Sequence, residues 1–358
     1  MSCVYSRSPK YDILLAGYHG FGNLGDELLA LSAVNLLVES GVEKNKIAIL
    51  SVNPDESRGT LGVDAFGRGL PSKSLTRALA SSRAMLLAGG GVFQDSTSVR
   101  SCFYYWALVR RALLASCRVA AISQSIGPLS NSLSRWMTRD ALMRCRYLSV
   151  RDDPSLAVAR SLGLDALESP DLVMGMSLPE VEAREDEVVL INIRPIPGRG
   201  ELEKSAERVI KAARACAAGG LTLRGIALAD EDASEMERLI ASGELPPCEV
   251  VPVKNLADFV SASGDAFAAV GMRLHFGILS MKRGLRVALA PYDPKVSGFA
   301  EKWGALCPDF KGITENSDIM GFLTKAFFED KKRPDHDEVR RALRGAFRIA
   351  LSRILEEK

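Results

Sequence analysis

Short apolar runs alternate with longer amphipathic stretches along nearly the whole chain, and this alternation constrains the fold more than any other feature. The runs at 11–17, 46–52, 84–88, 118–123 and 147–151 have strand length and near-continuous apolar character. Between most of them, apolar positions recur at helical spacing, over 26–39, 73–81, 100–116 and 133–144. Apolar strands, each followed by a helix, call for a parallel sheet covered on both faces. The stretch 169–185, with two prolines and then a charged run, reads as a boundary. The pattern then restarts, with strands at 187–194, 221–228, 249–253, 266–271 and 286–290 and helices at 201–218, 231–242, 256–263 and 274–283. A helical tail rich in Arg, Ala and Leu, 335–357, is free to pack on either half. The expected fold is α/β: two Rossmann-like, doubly wound domains, 1–178 and 179–330, plus a C-terminal helix in 331–358. A length of 358 residues suits two such domains. Ligands of these folds sit beyond the carboxyl ends of the strands, so the site is expected in a cleft between facing domains.

Composition removes several classes. Forty-six basic against forty-four acidic residues leave a net charge of +2, which argues against a nucleic-acid binder driven by phosphate contacts. No apolar run approaches the ~20 residues of a membrane span. Residues 1–10 are polar and basic and lack the apolar core of a secretory signal. The seven cysteines, at 3, 102, 117, 145, 216, 248 and 307, are scattered, odd in number and without a C-x-x-C pair. A cytoplasmic protein without disulfides or a zinc site is therefore expected. Three histidines (His19, His275 and His336) do not suggest a His-rich metal centre.

The first strand runs into Gly17-Tyr18-His19-Gly20-Phe21-Gly22-Asn23-Leu24-Gly25-Asp26-Glu27 and then a helix. Gly20, Gly22 and Gly25 satisfy G-x-G-x-x-G in a strand-turn-helix context, and a helix N-terminus favours anions. A dinucleotide fits poorly. The second strand ends at Ser51-Val52-Asn53 where an acidic ribose ligand belongs, and Asp26 and Glu27 bring negative charge beside a pyrophosphate. A tight turn with an Asp capping or charging the helix start explains the same residues. Asn23, Gly25 and Asp26 are the candidate ligand contacts here. Gly90 and Gly91, in the triplet after the third strand, serve either a ligand or a packing turn. Gln124 follows the fourth strand at the same sheet edge. Arg151 ends the fifth and carries a guanidinium toward the expected cleft, although an Arg–Asp neighbour pair is commonly a solvated helix start.

The sharpest constellation is Val270-Gly271-Met272-Arg273-Leu274-His275, followed one strand later by Pro291-Tyr292-Asp293-Pro294-Lys295-Val296. Cations gathered at a helix N-terminus are repelled by its dipole, which makes sense mainly if an anionic ligand fills the site. The company of Arg273 and Lys295 points to a functional His275. His19 and His336 read as turn or surface residues.

These segments resemble the polysaccharide pyruvyl transferase family, in particular its CsaB-like bacterial branch. The resemblance rests on 17–27, 88–93, 126–129, 150–153, 170–172, 271–275 and 291–298, in the family's order. It implies a GT-B-like pair of Rossmann-type domains that moves pyruvate from phosphoenolpyruvate onto a sugar as a ketal, with no cofactor beyond that donor substrate. It further implies a cell-wall or extracellular polysaccharide precursor as acceptor, often on a lipid diphosphate at the cytoplasmic face. Arg151, Arg273, His275 and Lys295 are the residues carried over. Ser123-Gln124-Ser125 departs from the Gly-Gln-Gly turn of relatives. The residue types suit the chemistry: an imidazole ordinarily titrates near neutrality and can protonate an enol ether, while Arg and Lys hold carboxylate and phosphate. Two alternatives remain, a GT-B glycosyltransferase with a nucleotide-sugar donor and a non-catalytic anion- or nucleotide-binding protein.

The stretches 100–118 and 135–151 hold Arg100, Arg110, Arg111, Arg118, Arg135, Arg139, Arg144, Arg146 and Arg151, with Phe103, Tyr104, Tyr105 and Trp106 interleaved. They read either as solvated helix faces over core aromatics or as a surface for peripheral contact with an anionic membrane.

Overall fold

The computed structural model describes residues 9–96, 98–178, 188–195, 200–305 and 334–356. Contacts divide the chain into two compact units. Unit 1 comprises Met1–Phe21, Leu29–Gly175 and Val339–Lys358, and unit 2 comprises Gly22–Leu28 and Met176–Glu338.

In unit 1 the first apolar run forms β1 (Tyr11–Ala16), buried except at Asp12. There follow α1 (Leu24–Glu39), β2 (Ile47–Ser51), α2 (Pro54–Leu61), β3 (Asp64–Gly67), α3 (Lys73–Ala80), β4 (Ser82–Ala88), α4 (Val99–Leu114), β5 (Arg118–Gln124), α5 (Ser132–Leu142), β6 (Tyr147–Val150), α6 (Asp153–Ser161) and β7 (Leu167–Glu168). All strand pairs are parallel, in the order β3-β2-β1-β4-β5-β6-β7. Leu15 of β1 stands between Ile49 of β2 and Leu86 of β4, and successive residues of these central strands are buried on both faces, as a covered parallel sheet requires. The order reverses between β1 and β4, the point where ligands of doubly wound sheets bind.

The stretch 53–67, unassigned from sequence, folds as α2 and β3. α2 has little apolar periodicity, and only Ser57 and Leu61 are buried. Pro54 in its first turn and a left-handed Gly62 (φ +65°) at its end define it instead. α6 starts the same way, with Asp152 accepting from the Ser155 N–H and Pro154 in the first turn.

Unit 2 repeats the plan with β8 (Val188–Asn192), α7 (Glu201–Ala218), β9 (Thr222–Ala227), α8 (Asp230–Ala241), β10 (Glu249–Pro252), α9 (Leu256–Ala262), β11 (Ala266–Gly271), α10 (Leu274–Lys282), β12 (Arg286–Leu289) and α11 (Pro294–Lys302). Its parallel sheet runs β10-β9-β8-β11-β12, with the reversal between β8 and β11. Val189, Ile191, Val209, Ala213, Met236 and Val270 are among its core residues.

The tail helix α12 (His336–Leu355) buries Leu343, Phe347, Ala350 and Ile354 and packs with unit 1 from Val339 onward. Its carbonyl end is held by guanidinium groups: Arg83 donates to Leu355 O (2.9 Å), and Arg118 to Ile354 O (3.1 Å) and Glu356 O (3.0 Å). Cations here complement the negative end of the helix dipole.

Candidate active site

At the reversal point of unit 2, Gly271 of β11 lies in register with Asn192 of β8. A Cβ on Gly271 would sit 2.7 Å from the Phe276 ring and 2.9 Å from Asn192 Cβ, so the close approach requires glycine. The chain then turns through Arg273 into α10. Asn192, fully buried, fixes that turn: its Oδ1 accepts from the Arg273 N–H (3.1 Å) and its Nδ2 donates to Ile226 O (2.9 Å).

The Arg273 guanidinium is buried and engaged. Nε and Nη2 both donate to Asp232 (2.6 Å each), and Nη2 donates to Glu231 (2.7 Å). Burial opposes its charge, but the completely buried Asp232 carboxylate outweighs this and holds the guanidinium protonated. Sequence reasoning asked which external anion offsets a cation at this helix start; the chain supplies that anion itself, from the first turn of α8.

His275 sits in the first turn of α10, half-buried. Its ring packs on Gly25, where a Cβ would come within 2.1 Å of Nδ1 and 2.6 Å of Cγ. The segment 22–28 groups with unit 2, and the Leu24 N–H donates to Leu228 O beyond β9 (2.9 Å). Asn23, not Asp26, caps α1: its Oδ1 accepts from the Gly25 N–H (3.0 Å) and its carbonyl from the Asp26 N–H (3.0 Å). Asp26 and Glu27 supply negative charge in the first turn. Two glycine-bearing motifs, 250 residues apart in sequence, thus meet at one imidazole.

The end of β12 reaches the same sheet edge through a hydrogen bond from Ala290 N to Gly271 O (2.9 Å). Beyond it, Asp293 caps α11 by accepting from the Lys295 N–H (3.0 Å), and Lys295 Nζ lies 3.4 Å from Asp293 Oδ2. Arg194, two residues past β8, was not singled out from sequence. Its Nη1 donates to the Tyr292 hydroxyl (3.0 Å), its guanidinium carbon lies 4.9 Å from the Tyr292 ring centre, and its Nε is buried without a partner. No carboxylate pairs with Arg194 among the described residues. The sequence carries a signal for these residues in a polar side chain at or after the carboxyl end of a strand: Asn192 ends β8, Arg194 follows it by two residues, and Asp232 lies in the first turn of the helix after β9.

The unit 1 candidates sit in closed networks. Arg151 is buried, not solvated: it donates to Asp171 and to Ser125 Oγ (2.7 Å), and Ser125 in turn donates to Asp152 (2.6 Å). Gln124 Nε2 donates to Leu87 O, Gly89 O and Ile122 O (3.1 Å each), bracing β4 against β5, while its Oε1 is buried without a partner. The glycine triplet serves packing at Gly89, where a Cβ would meet Leu29 at 2.8 Å, and stitching at Gly90, whose carbonyl accepts from the Ser125 N–H (2.9 Å). Gly91 follows in the same turn. Ser123 has φ +52°, a conformation that favours glycine, and its hydroxyl pairs with Ser169 Oγ (3.0 Å). His19 lies in a turn but is buried, and His336 lies 3.2 Å from Met176 O. Among the described residues no group of three or more His, Cys, Asp or Glu side chains is arranged to hold a metal ion.

No curated protein matches the chain. Solved structures that it resembles include Staphylococcus aureus MnaA with UDP (10% identity, TM-score 0.60, covering 97% of this chain and 99% of that one). UDP-GlcNAc 2-epimerase from Neisseria meningitidis matches at 11% identity and TM-score 0.55 (97% and 100% covered), and that from Methanocaldococcus jannaschii at 10% and 0.57 (94% and 99%). At such identity the likeness shows the fold alone, two Rossmann-like units of the GT-B type. The model of the family described as polysaccharide pyruvyl transferase matches residues 23–288, from the Asn23 cap through His275 into β12. With both halves of the His275–Gly25 contact inside a match that spans most of its length, the chain belongs to the polysaccharide pyruvyl transferase family.

Proposed function

We propose that the chain transfers pyruvate from phosphoenolpyruvate to two hydroxyls of a sugar in a cell-wall or extracellular polysaccharide precursor, forming a ketal and releasing phosphate. The observation that carries this reading is the His275 imidazole, held in the first turn of α10 against the Gly25 backbone, two residues after the Asp232-bound Arg273. In the first step His275 gives its proton to C3 of phosphoenolpyruvate, leaving an oxocarbenium at C2. A sugar hydroxyl adds to C2 and loses its proton. Phosphate then departs with the C2–O bonding pair, which regenerates the oxocarbenium. The second hydroxyl closes the ketal and loses its proton; one released proton restores His275 and the other leaves with phosphate.

The donor's carboxylate and phosphate call for cations. Arg273, saturated by Asp232 and Glu231, acts here as a positioning residue that sets the turn carrying His275. Arg194, without a carboxylate partner among the described residues, and Lys295 are the cations we assign to the donor. Asn23, Gly25 and Asp26 form the turn against the imidazole. Arg151, Gln124, Gly90 and Gly91 hold the end of the unit 1 sheet in shape. Only the two substrates and these side chains enter the scheme.

We further propose a lipid- or nucleotide-linked acceptor and, for the former, cytoplasmic action at the membrane surface. No helix among the described residues is long and apolar enough to cross a membrane. On α4 and α5, Phe103, Leu133, Trp136 and Met143 are more than half exposed, and the Trp106 ring links Phe103 (5.9 Å) to Trp136 (5.6 Å). Tyr105, by contrast, belongs to the core. The basic component is smaller than the sequence suggests. Arg110 and Arg144 pair with Asp140, Arg139 and Arg146 donate to backbone carbonyls, as Arg118 does, and Arg151 is buried. Aromatic side chains at headgroup depth supply most of the contact in this reading.

The test is phosphate release from phosphoenolpyruvate with a panel of linked sugars. His275→Ala should lower turnover at least ~10²-fold while thermal protection by phosphoenolpyruvate persists. Near-normal turnover overturns the acid assignment. Protection by UDP alone would favour the glycosyltransferase alternative.

A further inference from the structure

Tyr18 and Phe21, on the turn after β1, stack on each other with ring centres 3.9 Å apart and planes 6° apart. Each nevertheless leaves close to half of its surface in solvent, 45% and 46%. Beneath them lies Arg68, 8% exposed. Its guanidinium carbon is 5.8 Å from the Tyr18 ring centre and 5.2 Å from that of Phe21, with Tyr104 (4.4 Å) and Tyr105 (5.5 Å) closing the cage. Nε and Nη2 donate to the Tyr104 and Tyr105 hydroxyls (3.2 and 3.0 Å), and Nη1 to Gly17 O (3.0 Å). Among the described residues no carboxylate pairs with it. Ring faces and neutral oxygens therefore offset this charge, a costly substitute for an ion pair.

The turn that carries the pair is tightly specified. Gly20 (φ +81°) and Gly22 (φ +76°) flank Phe21, and a Cβ on Gly20 would fall 2.1 Å from Ser51 Oγ and 2.8 Å from Asn53 N. Two large exposed rings on a rigid turn do not arise from core packing. They stand at the carboxyl end of β1, beside the order reversal of the unit 1 sheet, where doubly wound folds bind ligands. Of the ligands that lie flat on an aromatic ring, the positive field of Arg68 favours one rimmed with oxygen lone pairs over a bare hydrocarbon chain.

We propose that the Tyr18–Phe21 pair, seated on Arg68, is a stacking platform for the pyranose ring of a sugar. The pyruvyl-transfer reading enters only in identifying that sugar as the acceptor.

The experiment is saturation-transfer NMR of the full chain with methyl glycosides of glucose, galactose, N-acetylglucosamine and N-acetylmannosamine, and with uridine. Protection by phosphoenolpyruvate is measured on the same samples by thermal unfolding. At least one glycoside should receive saturation through its ring C–H groups. That signal should weaken about tenfold in Tyr18→Ala and in Phe21→Ala and survive in Tyr18→Phe and Phe21→Tyr. Both rings are half in solvent, so a Tm unchanged without ligand verifies that the Ala variants fold. No saturation of any glycoside, saturation equal in the wild type and both Ala variants, or saturation of uridine alone overturns the platform. Glycoside binding without phosphoenolpyruvate protection leaves the platform standing and counts against the pyruvyl-transfer reading.

Discussion

Replacing Gly25 by Ala tests the contact on which the active-site assignment rests, because two physical effects at this position oppose each other. Gly25 lies in the first turn of α1 with ordinary helical backbone. On helix propensity alone, Ala should stabilise the protein by up to ~1 kcal/mol. The added methyl, however, would lie 2.1 Å from Nδ1, 2.6 Å from Cγ and 2.9 Å from Cβ of His275. Rotation about χ2 leaves Cγ and Cβ in place and rotation about χ1 still leaves Cβ, so the two helix starts must also separate. Overpacking of this kind costs about 1–3 kcal/mol, so after the propensity gain the net effect should be a loss of up to about 2 kcal/mol. In a His275→Gly background all three atoms are gone, and the same substitution should become stabilising. Urea unfolding of the four proteins measures the coupling, expected at ~2 kcal/mol. Displacing the imidazole by an ångström should also lower turnover about 10²-fold. Equal stabilisation by Gly25→Ala in both backgrounds would show that the ring does not rest on Gly25, and the meeting of the two motifs would fall with it.

Removing Asp232 leaves the buried Arg273 charge with only the half-exposed Glu231, so Asp232→Ala should cost about 3–5 kcal/mol by thermal or urea unfolding; a loss below ~1 kcal/mol would contradict the buried pair. At Glu39, burial pushes the carboxyl pKa up, but Arg340 (2.6 Å) and Arg344 (2.9 Å) outweigh it and hold it below its ordinary 4.5. Their contribution is therefore present above that ordinary value and lost as pH falls through the lowered one, so Glu39→Gln should destabilise by about 0.5–1 kcal/mol at neutral pH and by nothing once Glu39 of the wild type is protonated; a pH-independent difference would contradict the linkage. Sedimentation with liposomes should depend on Phe103 and Trp136 more than on salt, and Trp136→Ser should release the protein; full recovery in the supernatant with anionic and neutral vesicles alike, or sedimentation unchanged in Trp136→Ser, would remove the membrane contact.

The fold was legible because its signal is repeated: nine strands of four to seven residues, each with two or more buried positions, announce two parallel sheets without any tertiary knowledge. What escaped were elements whose definition is not apolar periodicity, such as α2, set by Pro54 and Gly62, and the edge strand β3, with Ala65 alone buried. The site was legible in part for a related reason. Gly25 and His275 are conspicuous residue types, and a glycine that must admit an imidazole leaves a trace in the sequence. Arg273 is equally conspicuous, yet its environment is decided by Asp232, forty-one positions upstream, an acidic residue in a helix rich in them. Sequence alone assigns the anion opposite this cation to a ligand, whereas the chain supplies it from Asp232 and Glu231; a helix-terminal cation does not by itself say which. Arg194 shows the converse: an ordinary-looking arginine gains its interest from having no carboxylate partner among the described residues. In a sheet whose strands all end at one edge, several charges converge there, and those left uncompensated by neighbouring strands are the ones available to an anionic substrate. In the proposed function the donor's anions are assigned to Arg194, which has no carboxylate partner among the described residues, and to Lys295, whose contact with Asp293 is loose at 3.4 Å, while Arg273 helps set the turn that carries the imidazole.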